Sequence, residues 1–223
     1  MRLPQVGGLY VQMEDELGSM ADHHRRLRCW QRRLYTATSG PGFSLMQENL
    51  GVAVMGEIPC VIVDVMRSGP STGMATKPAQ GDLLQAKWGT HGDHGLIVIS
   101  PASVQECYDY MITAFNYSEK HRTPVVFLAD EVVGHMRETY VKWEVGPEDV
   151  VERKSPVCAP ADYKPYDFSG QSEAISPPGG LRRSTRLPDQ RHHSRRKRRP
   201  QHRPGQRGQV HSPLYRQIYQ EPG

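Results

Sequence analysis

The chain has 223 residues, enough for one good-sized domain with additional segments. It contains four cysteines, Cys29, Cys60, Cys107 and Cys158. They lie far apart and form no C-x-x-C pair, which argues against a zinc ribbon, a disulfide scaffold or an iron–sulfur cluster held by this chain alone. The sequence has neither an apolar run of the roughly 18–20 residues that a membrane span needs nor the pattern of a signal peptide, so we expect a cytoplasmic protein.

The net charge of +4 hides an uneven distribution of charge along the chain. Eleven of the 28 Lys and Arg residues lie between positions 181 and 208, and five arginines lie between positions 22 and 33. The remaining residues are acidic on balance. We therefore expect an acidic globular body with two separate basic segments.

The first part of the chain predicts a strand followed by a helix. Residues 7–12 form a short apolar run after a glycine turn, which predicts a strand near Leu9. A helix should begin at Met13, with acidic side chains in its first turn, where the macrodipole favours them. Residues 22–33 conflict with this pattern because an Arg- and His-rich segment has no apolar face to pack beneath a sheet.

Further along the chain, apolar runs alternate with helical patterns. The runs predict strands near Tyr35, Val61, Ile97 and Val126. Alternation of this kind predicts an open parallel α/β sheet with helices on both faces.

The longest predicted helix lies between the last two of these strands. Ser100 and Pro101 should start it by N-cap and N1 chemistry. Its apolar side chains recur at helical spacing and should face the sheet: Val104, Tyr108, Met111 and Phe115.

Two glycine- and proline-rich loops follow predicted strands. They are residues 36–49, where a helix starts after Pro41, and residues 67–73. Glycines in such loops let a ligand approach main-chain N–H groups closely, and a helix N-terminus adds a positive dipole end. Since ligands of open α/β sheets bind outside the carboxyl ends of the strands, we expect both loops to border one site.

The periodic pattern ends near Val145. We therefore predict a domain of residues 1–145, an extended proline-containing linker of residues 146–168, and a disordered Arg-, His- and Pro-rich tail of residues 169–223.

Six ordered blocks of sequence resemble the alpha subunits of 2-oxoacid:ferredoxin oxidoreductases, most closely those of 2-oxoglutarate synthases. The blocks are Gln12–Glu16, Thr36–Met46, Arg67–Gly73, Gly81–Ala86, His91–His94 and Asp130–Glu138. The resemblance covers about residues 2–167, except residues 22–33. It implies a domain of the thiamine diphosphate-binding, pyrimidine-domain type, with the magnesium ion and an iron–sulfur cluster on a partner beta subunit.

The resemblance also implies a reaction. A complex with the beta subunit would decarboxylate 2-oxoglutarate oxidatively with coenzyme A, forming succinyl-CoA and reducing ferredoxin. Pyruvate or a branched-chain 2-oxoacid is an alternative substrate within the same enzyme class. The chain alone should be inactive.

The resemblance assigns roles to several residues. Glu16 matches the glutamate that hydrogen-bonds the aminopyrimidine ring and promotes deprotonation of the thiazolium carbon. Arg67 matches the arginine that binds the substrate carboxylate, and Thr72 matches a hydroxyl that contacts substrate. The cofactor-binding positions would be Glu16 and the loop residues Ser39, Gly40 and Gly42.

A purely structural role remains open for Glu16 and Arg67. In that case Glu16 lies in a solvated first helical turn, and Arg67 binds backbone carbonyl groups at the end of its strand. We expect no metal ligands in this chain, since His91 and His94 have no other clustered donors near them in the sequence.

Three segments depart from the family pattern. A loop that touches cofactor and substrate in the family would precede Met1, residues 22–33 replace an apolar helix, and residues after about 169 match nothing in the family. One hypothesis is that the two basic segments are out-of-frame translations. Reading the nucleotide sequence of residues 22–33 in the other frames should then recover an apolar helix, and failure in both frames would reject the idea.

The basic tail suggests an alternative function of a different class, nucleic-acid binding. Residues 195–199 are all Arg or Lys, so the tail could contact nucleic-acid phosphates. The tail has no interleaved aromatic residues before Tyr215 and the body is acidic, which makes nucleic acid an unfavoured partner. Salt-sensitive binding of DNA or RNA that is lost on deleting residues 181–208 would support this alternative.

Overall fold

The computed structural model describes residues 3–26 and 32–153. The predicted tail, residues 154–168 of the predicted linker and the centre of the first basic segment lie outside these residues. Within them, the helices are α1 (Glu16–Arg26), α2 (Pro41–Met55), α3 (Asp82–Trp88), α4 (Val104–His121) and α5 (Glu131–His135). The strands are β1 (Leu34–Thr38), β2 (Cys60–Met66), β3 (Ile97–Ile99) and β4 (Pro124–Asp130), and 3-10 turns span Leu3–Val6 and Pro147–Asp149.

The four strands in the described part of the chain form one parallel sheet with the order β1-β2-β4-β3. Strand β2 is central and pairs with β1 through Thr36 and Val63, and with β4 through Val63 and Phe127. Because all pairs are parallel, the carboxyl ends of the strands meet at one edge. The predicted open parallel sheet is confirmed, and its loops after β1 and β2 lie at that edge.

Helices cover both faces of this sheet, as predicted. On one face, α1, α2 and α3 bury a cluster that includes Phe43, Leu50 and Ile62. On the other face, α4 packs Met111 and Phe115 against a second cluster. Val61 and Val126, which we expected to be buried in one sheet, are both 0% exposed. None of the described helices combines the length and apolar character that a membrane crossing needs.

The predicted strand near Leu9 is wrong. Residues 8–13 form irregular chain after a turn in which the Gly7 N–H donates to the carbonyl of Pro4, and they pair with no strand. Leu9 and Val11 are 60% and 48% exposed. An apolar run becomes a strand only where a neighbouring edge accepts its hydrogen bonds, and the described sheet offers this segment none.

Helix α4 starts later than predicted, and one of its side chains turns away from the sheet. Ser103, rather than Ser100, is the N-cap, and the Ser100 hydroxyl donates to the Leu128 carbonyl. Tyr108 packs against Tyr140 and Trp143, with ring centroids 5.2 and 6.4 Å away. The prediction missed this because the segment after α5 returns over α4 and provides a second apolar surface.

The start of α4 gives a stability prediction. The Ser103 hydroxyl accepts a hydrogen bond from the Glu106 N–H at 3.1 Å, and the Glu106 carboxylate accepts one from the Ala102 N–H at 2.7 Å. Ser103→Ala should therefore lower the free energy of unfolding by about 1 kcal/mol, measured by chemical denaturation. Ser103→Asp retains a capping acceptor and serves as the control. Equal losses in both variants would contradict the capping role.

Residues 146–153, the described part of the predicted linker, lie along α4. The Asn116 side chain donates to the Asp149 carbonyl and accepts from the Val151 N–H. The Arg153 guanidinium makes two hydrogen bonds to the Glu119 carboxylate, whose side chain is 2% exposed. The domain boundary near residue 145 remains a prediction, but these contacts hold the chain to the domain as far as Arg153.

Candidate functional site

The candidate site lies at the carboxyl edge of the sheet, where the loops after β1 and β2 meet. The Ser39 N–H donates to the Val65 carbonyl, and the Ser39 hydroxyl donates to the Arg67 carbonyl. These contacts draw the end of β1 against the end of β2. The two loops thus lie side by side at the carboxyl edge of the sheet, as the sequence predicted.

Gly40 is the point of closest approach between the two loops. It has a φ of +79°, and a Cβ at this position would lie 2.2 Å from the Ser71 carbonyl oxygen. Both the backbone conformation and the contact therefore require glycine. The result is half-buried main chain at Gly40, immediately before Pro41, the first residue of α2, with the helix dipole directed at the site.

The Arg67 side chain is the organising group of this edge. It is 8% exposed, its Nε donates to the Thr38 hydroxyl at 2.9 Å, and its Nη1 donates to the Thr72 carbonyl at 2.6 Å and the Ser68 carbonyl at 3.5 Å. Its Nη2 makes no hydrogen bond to the described residues and lies 3.5 Å from the Cβ position of Gly40. Arg67 therefore binds backbone carbonyls, as the structural reading expected, and keeps one terminal nitrogen directed to the glycine loop.

Glu16 reaches the same edge from α1. It is the first residue of that helix and half-buried, and its Oε1 lies 3.2 Å from the position that a Cβ at Gly42 would occupy. The Asn49 side chain, which donates to the Leu17 carbonyl, ties α2 to the first turn of α1. A carboxylate is thus held beside the glycine-containing first turn of α2.

The other predicted site residues have different surroundings. Thr72 is exposed, and its carbonyl, rather than its hydroxyl, holds Arg67. Ser39 is 2% exposed and its hydroxyl is used within the loop, so its contribution is to shape the main chain. His94 lies before β3, at the opposite edge of the sheet, with Nδ1 2.9 Å from the Gly92 carbonyl oxygen.

The described residues hold no group of three or more His, Cys, Asp or Glu side chains that could bind a metal ion.

Sequence reasoning missed a buried acid below the site. Asp64 lies on β2, is 0% exposed, and neither carboxylate oxygen has a hydrogen-bond partner among the described residues. The pKa of Asp64 is raised to about 7, mainly by burial and in addition by the Asp82 carboxylate, while the Arg67 charge opposes the shift. The available signal was an acid inside the otherwise apolar run of residues 58–66.

This raised pKa predicts the pH dependence of stability. Between about pH 4 and 7, folded Asp64 keeps a proton that the unfolded chain has lost, so the free energy of unfolding falls as pH rises. Asp64 alone should lower the free energy of unfolding by up to about 1.4 kcal/mol for each unit that the pH rises in this range. In Asp64→Asn, denaturation midpoints measured from pH 4 to 8 should show a flatter dependence than in the wild type. The control is Asp93→Asn, because Asp93 is exposed. If stability depends on pH as steeply in Asp64→Asn as in the wild type, Asp64 is not the cause of this pH dependence.

The sequence of this chain matches the model of a known protein family. Residues 2–203 match the model described as pyruvate flavodoxin/ferredoxin oxidoreductase, thiamine diphosphate-binding. The chain belongs to this family. The match extends past residue 167, where the resemblance read from the sequence ends.

Named relatives agree with the resemblance read from the sequence. The chain is 53% identical over 167 residues to 2-oxoglutarate synthase subunit KorA of Methanocaldococcus jannaschii, covering 74% of this chain and 44% of the relative. It is 42% identical over 159 residues to ketoisovalerate oxidoreductase subunit VorB of Methanothermobacter thermautotrophicus, covering 68% and 42%. The resemblance to 2-oxoglutarate synthase alpha subunits is therefore confirmed. The chain spans less than half the length of these two relatives.

A solved structure shares the fold. The 2-oxoglutarate:ferredoxin oxidoreductase from Magnetococcus marinus, with 2-oxoglutarate, coenzyme A and succinyl-CoA bound, matches with a TM-score of 0.61 and 34% identity. The match covers 76% of this chain and 29% of that one. The predicted α/β fold of the thiamine diphosphate-binding type is confirmed.

Proposed function

We propose that this chain supplies the pyrimidine side of a thiamine diphosphate site in an enzyme that oxidatively decarboxylates 2-oxoglutarate. The complex would transfer the acyl group to coenzyme A, giving succinyl-CoA, and reduce ferredoxin. The observation that carries the proposal is the convergence of Glu16, Arg67 and the Gly40 loop at one edge of the sheet. Relatives named 2-oxoglutarate synthase subunits supply the reaction class.

The described residues fit one part of the cofactor. The Glu16 carboxylate is half-buried and lies beside the first turn of α2, where a Cβ at Gly42 would come within 3.2 Å of Oε1. Glu16 would hold and share a proton with a ring nitrogen there, and Gly40 and Gly42 would let the ring lie against the main chain. When bound, thiamine diphosphate supplies the acidic carbon that attacks a 2-oxo group.

We propose that a magnesium ion for the diphosphate, and an iron–sulfur cluster, are held by a partner beta subunit, as the resemblance to the family implies. The active site would then lie between two chains, and electrons would pass through the partner to ferredoxin.

Arg67 and the loop that it holds would select the substrate. Its Nη2 is the guanidinium nitrogen left for a ligand, so a substrate carboxylate would bind there, and a second bond from Nη1 would compete with the Thr72 carbonyl. The exposed hydroxyl of Thr72 lies on the same loop and would face the bound 2-oxoacid.

The proposal predicts that the chain alone does not convert 2-oxoglutarate. We expect no viologen reduction when purified chain receives thiamine diphosphate, magnesium, coenzyme A and 2-oxoglutarate, because the diphosphate side and the electron acceptor are missing. Adding the beta subunit should start dye reduction, measured by absorbance. Turnover by the chain alone would show that the chemistry has been assigned to the wrong polypeptide.

Substrate class is tested in the same assay. The relative named ketoisovalerate oxidoreductase subunit makes a branched-chain 2-oxoacid the second candidate. We expect kcat/KM to be highest for 2-oxoglutarate among 2-oxoglutarate, pyruvate and 2-oxoisovalerate. A preference for 2-oxoisovalerate would reassign the substrate but keep the reaction class.

A further inference from the structure

A buried asparagine on α2 contacts the main chain directly after Glu16, and the proposed reaction gives it no role. Asn49 is 9% exposed, and its Nδ2 donates to the Leu17 carbonyl at 3.2 Å. It follows Gly42 by seven residues, so both lie on one face of α2, about 10 Å apart along the helix axis. That face meets the first turn of α1 at two points, the Glu16 carboxylate beside Gly42 and the Leu17 carbonyl beside Asn49.

The apolar packing that fixes the start of α1 is small. Among residues 16–21, Met20 is the only one that is buried, in the same core cluster as Met46 of α2. Leu17 is 42% exposed. A helix usually takes its position from an apolar face that packs on its neighbours, and here a single methionine provides it. The hydrogen bond from Asn49 therefore carries a large share of the contact that sets the position of this first turn.

The position of this turn matters because Glu16 lies close to other elements. The Cβ position of Gly42 is 3.2 Å from Glu16 Oε1 and 3.1 Å from the Ala37 Cβ, so the first turn of α2 lies between the carboxylate and β1. Proton transfer requires donor and acceptor within hydrogen-bond distance, and a misplacement of about 1 Å can cost about 10²-fold in rate. A small shift of α1 would therefore impair an intact carboxylate.

We propose that Asn49 is a positioning residue for Glu16, because its hydrogen bond to the Leu17 carbonyl holds the first turn of α1 where the carboxylate lies beside Gly42. This inference rests on the proposed function, since it requires Glu16 to act on a bound cofactor. Asn49 itself transfers no proton. Loss of its amide should therefore affect kcat and the affinity for thiamine diphosphate through Glu16.

A double-mutant cycle in the complex with the beta subunit tests whether Asn49 acts through Glu16. Asn49→Ala removes the donor, and Asn49→Leu removes it while keeping the size of the side chain. We expect each change to lower kcat for 2-oxoglutarate by about 10–10²-fold. Each should also weaken thiamine diphosphate binding, measured by calorimetric titration without substrate. In a protein that already carries Glu16→Gln, either change should alter kcat by less than about twofold.

Asn116 on α4 provides a matched control. Its side chain likewise joins a helix to the main chain of a neighbouring segment, since it donates to the Asp149 carbonyl and accepts from the Val151 N–H. Asn116→Ala should lower the melting temperature, as Asn49→Ala does, and keep the kcat and thiamine diphosphate affinity of the wild type. This comparison separates a loss of stability from a displacement of Glu16.

Three results would overturn the inference and leave the proposed function standing. The first is wild-type kcat in both Asn49 variants. The second is an equal fall of kcat with and without Glu16→Gln, which would show that Asn49 acts independently of the carboxylate. The third is failure of both variants to assemble with the beta subunit, which would assign the contact to stability. Wild-type kcat in Glu16→Gln alone would instead refute the proposed role of Glu16, and this inference with it.

Discussion

Arg67→Ala in the complete complex is expected to lower kcat/KM for 2-oxoglutarate by on the order of 10²-fold or more. The substitution removes the guanidinium nitrogen that is directed to the Gly40 loop and leaves the substrate carboxylate without its charged partner. Loss of a charge-assisted hydrogen bond of this kind costs about 2–4 kcal/mol, which corresponds to that factor. Steady-state kinetics with viologen reduction measure it.

Two further variants separate substrate binding from loop structure. Arg67→Lys retains the charge but loses the planar fork that reaches the Thr38 hydroxyl and the Thr72 carbonyl together, so activity should return only in part. Thr38→Val removes the acceptor of Nε and keeps the guanidinium, so it tests the loop alone. Arg67 has a structural role only if Thr38→Val lowers kcat/KM for 2-oxoglutarate as much as Arg67→Ala does. The same conclusion follows if both Arg67 variants have the kcat/KM of the wild type.

The fold was largely predictable because its signals are local. Strand β2 reads as a Val- and Ile-rich run that only Asp64 interrupts, which is typical of a central parallel strand buried on both faces. The same reasoning failed at Leu9, where an equally apolar run has no neighbouring edge, and at Tyr108, whose surroundings come from residues 140–143. Both errors concern partners distant in sequence, which periodicity does not report.

The candidate site was predictable in its position but not in its contacts. Gly40 and Arg67 each follow a strand end, so their meeting at one edge follows from parallel topology. That the Thr72 main chain would hold Arg67 depends on the path of an irregular loop, which no pattern specifies. That Asp64 is fully buried, with no hydrogen-bond partner for its carboxylate among the described residues, depends on the packing around β2, which no sequence pattern specifies.

Glu16→Gln is the other substitution expected to have a large effect. The amide keeps the size of the side chain beside Gly42 but has no ionisable proton to share with a ring nitrogen. Loss of a positioned acid–base group typically lowers rates by about 10²–10⁴-fold, and we expect kcat of the complex to fall within that range. Because the side chain lies at the first residue of α1, stability should change little, which thermal denaturation checks.

The neighbouring acid supplies a matched control. The Asp15 carboxylate accepts from the Gly18 N–H and caps α1, and Asp15→Asn retains a capping oxygen without placing a changed group next to Gly42. Asp15→Asn should therefore keep near wild-type kcat and thiamine diphosphate affinity, while Glu16→Gln loses turnover and weakens thiamine diphosphate binding. If Glu16→Gln keeps wild-type kcat, the carboxylate belongs to a solvated first turn and the pyrimidine side of the cofactor lies elsewhere. If both variants lose activity equally, the cause is the start of α1 rather than a proton at Glu16.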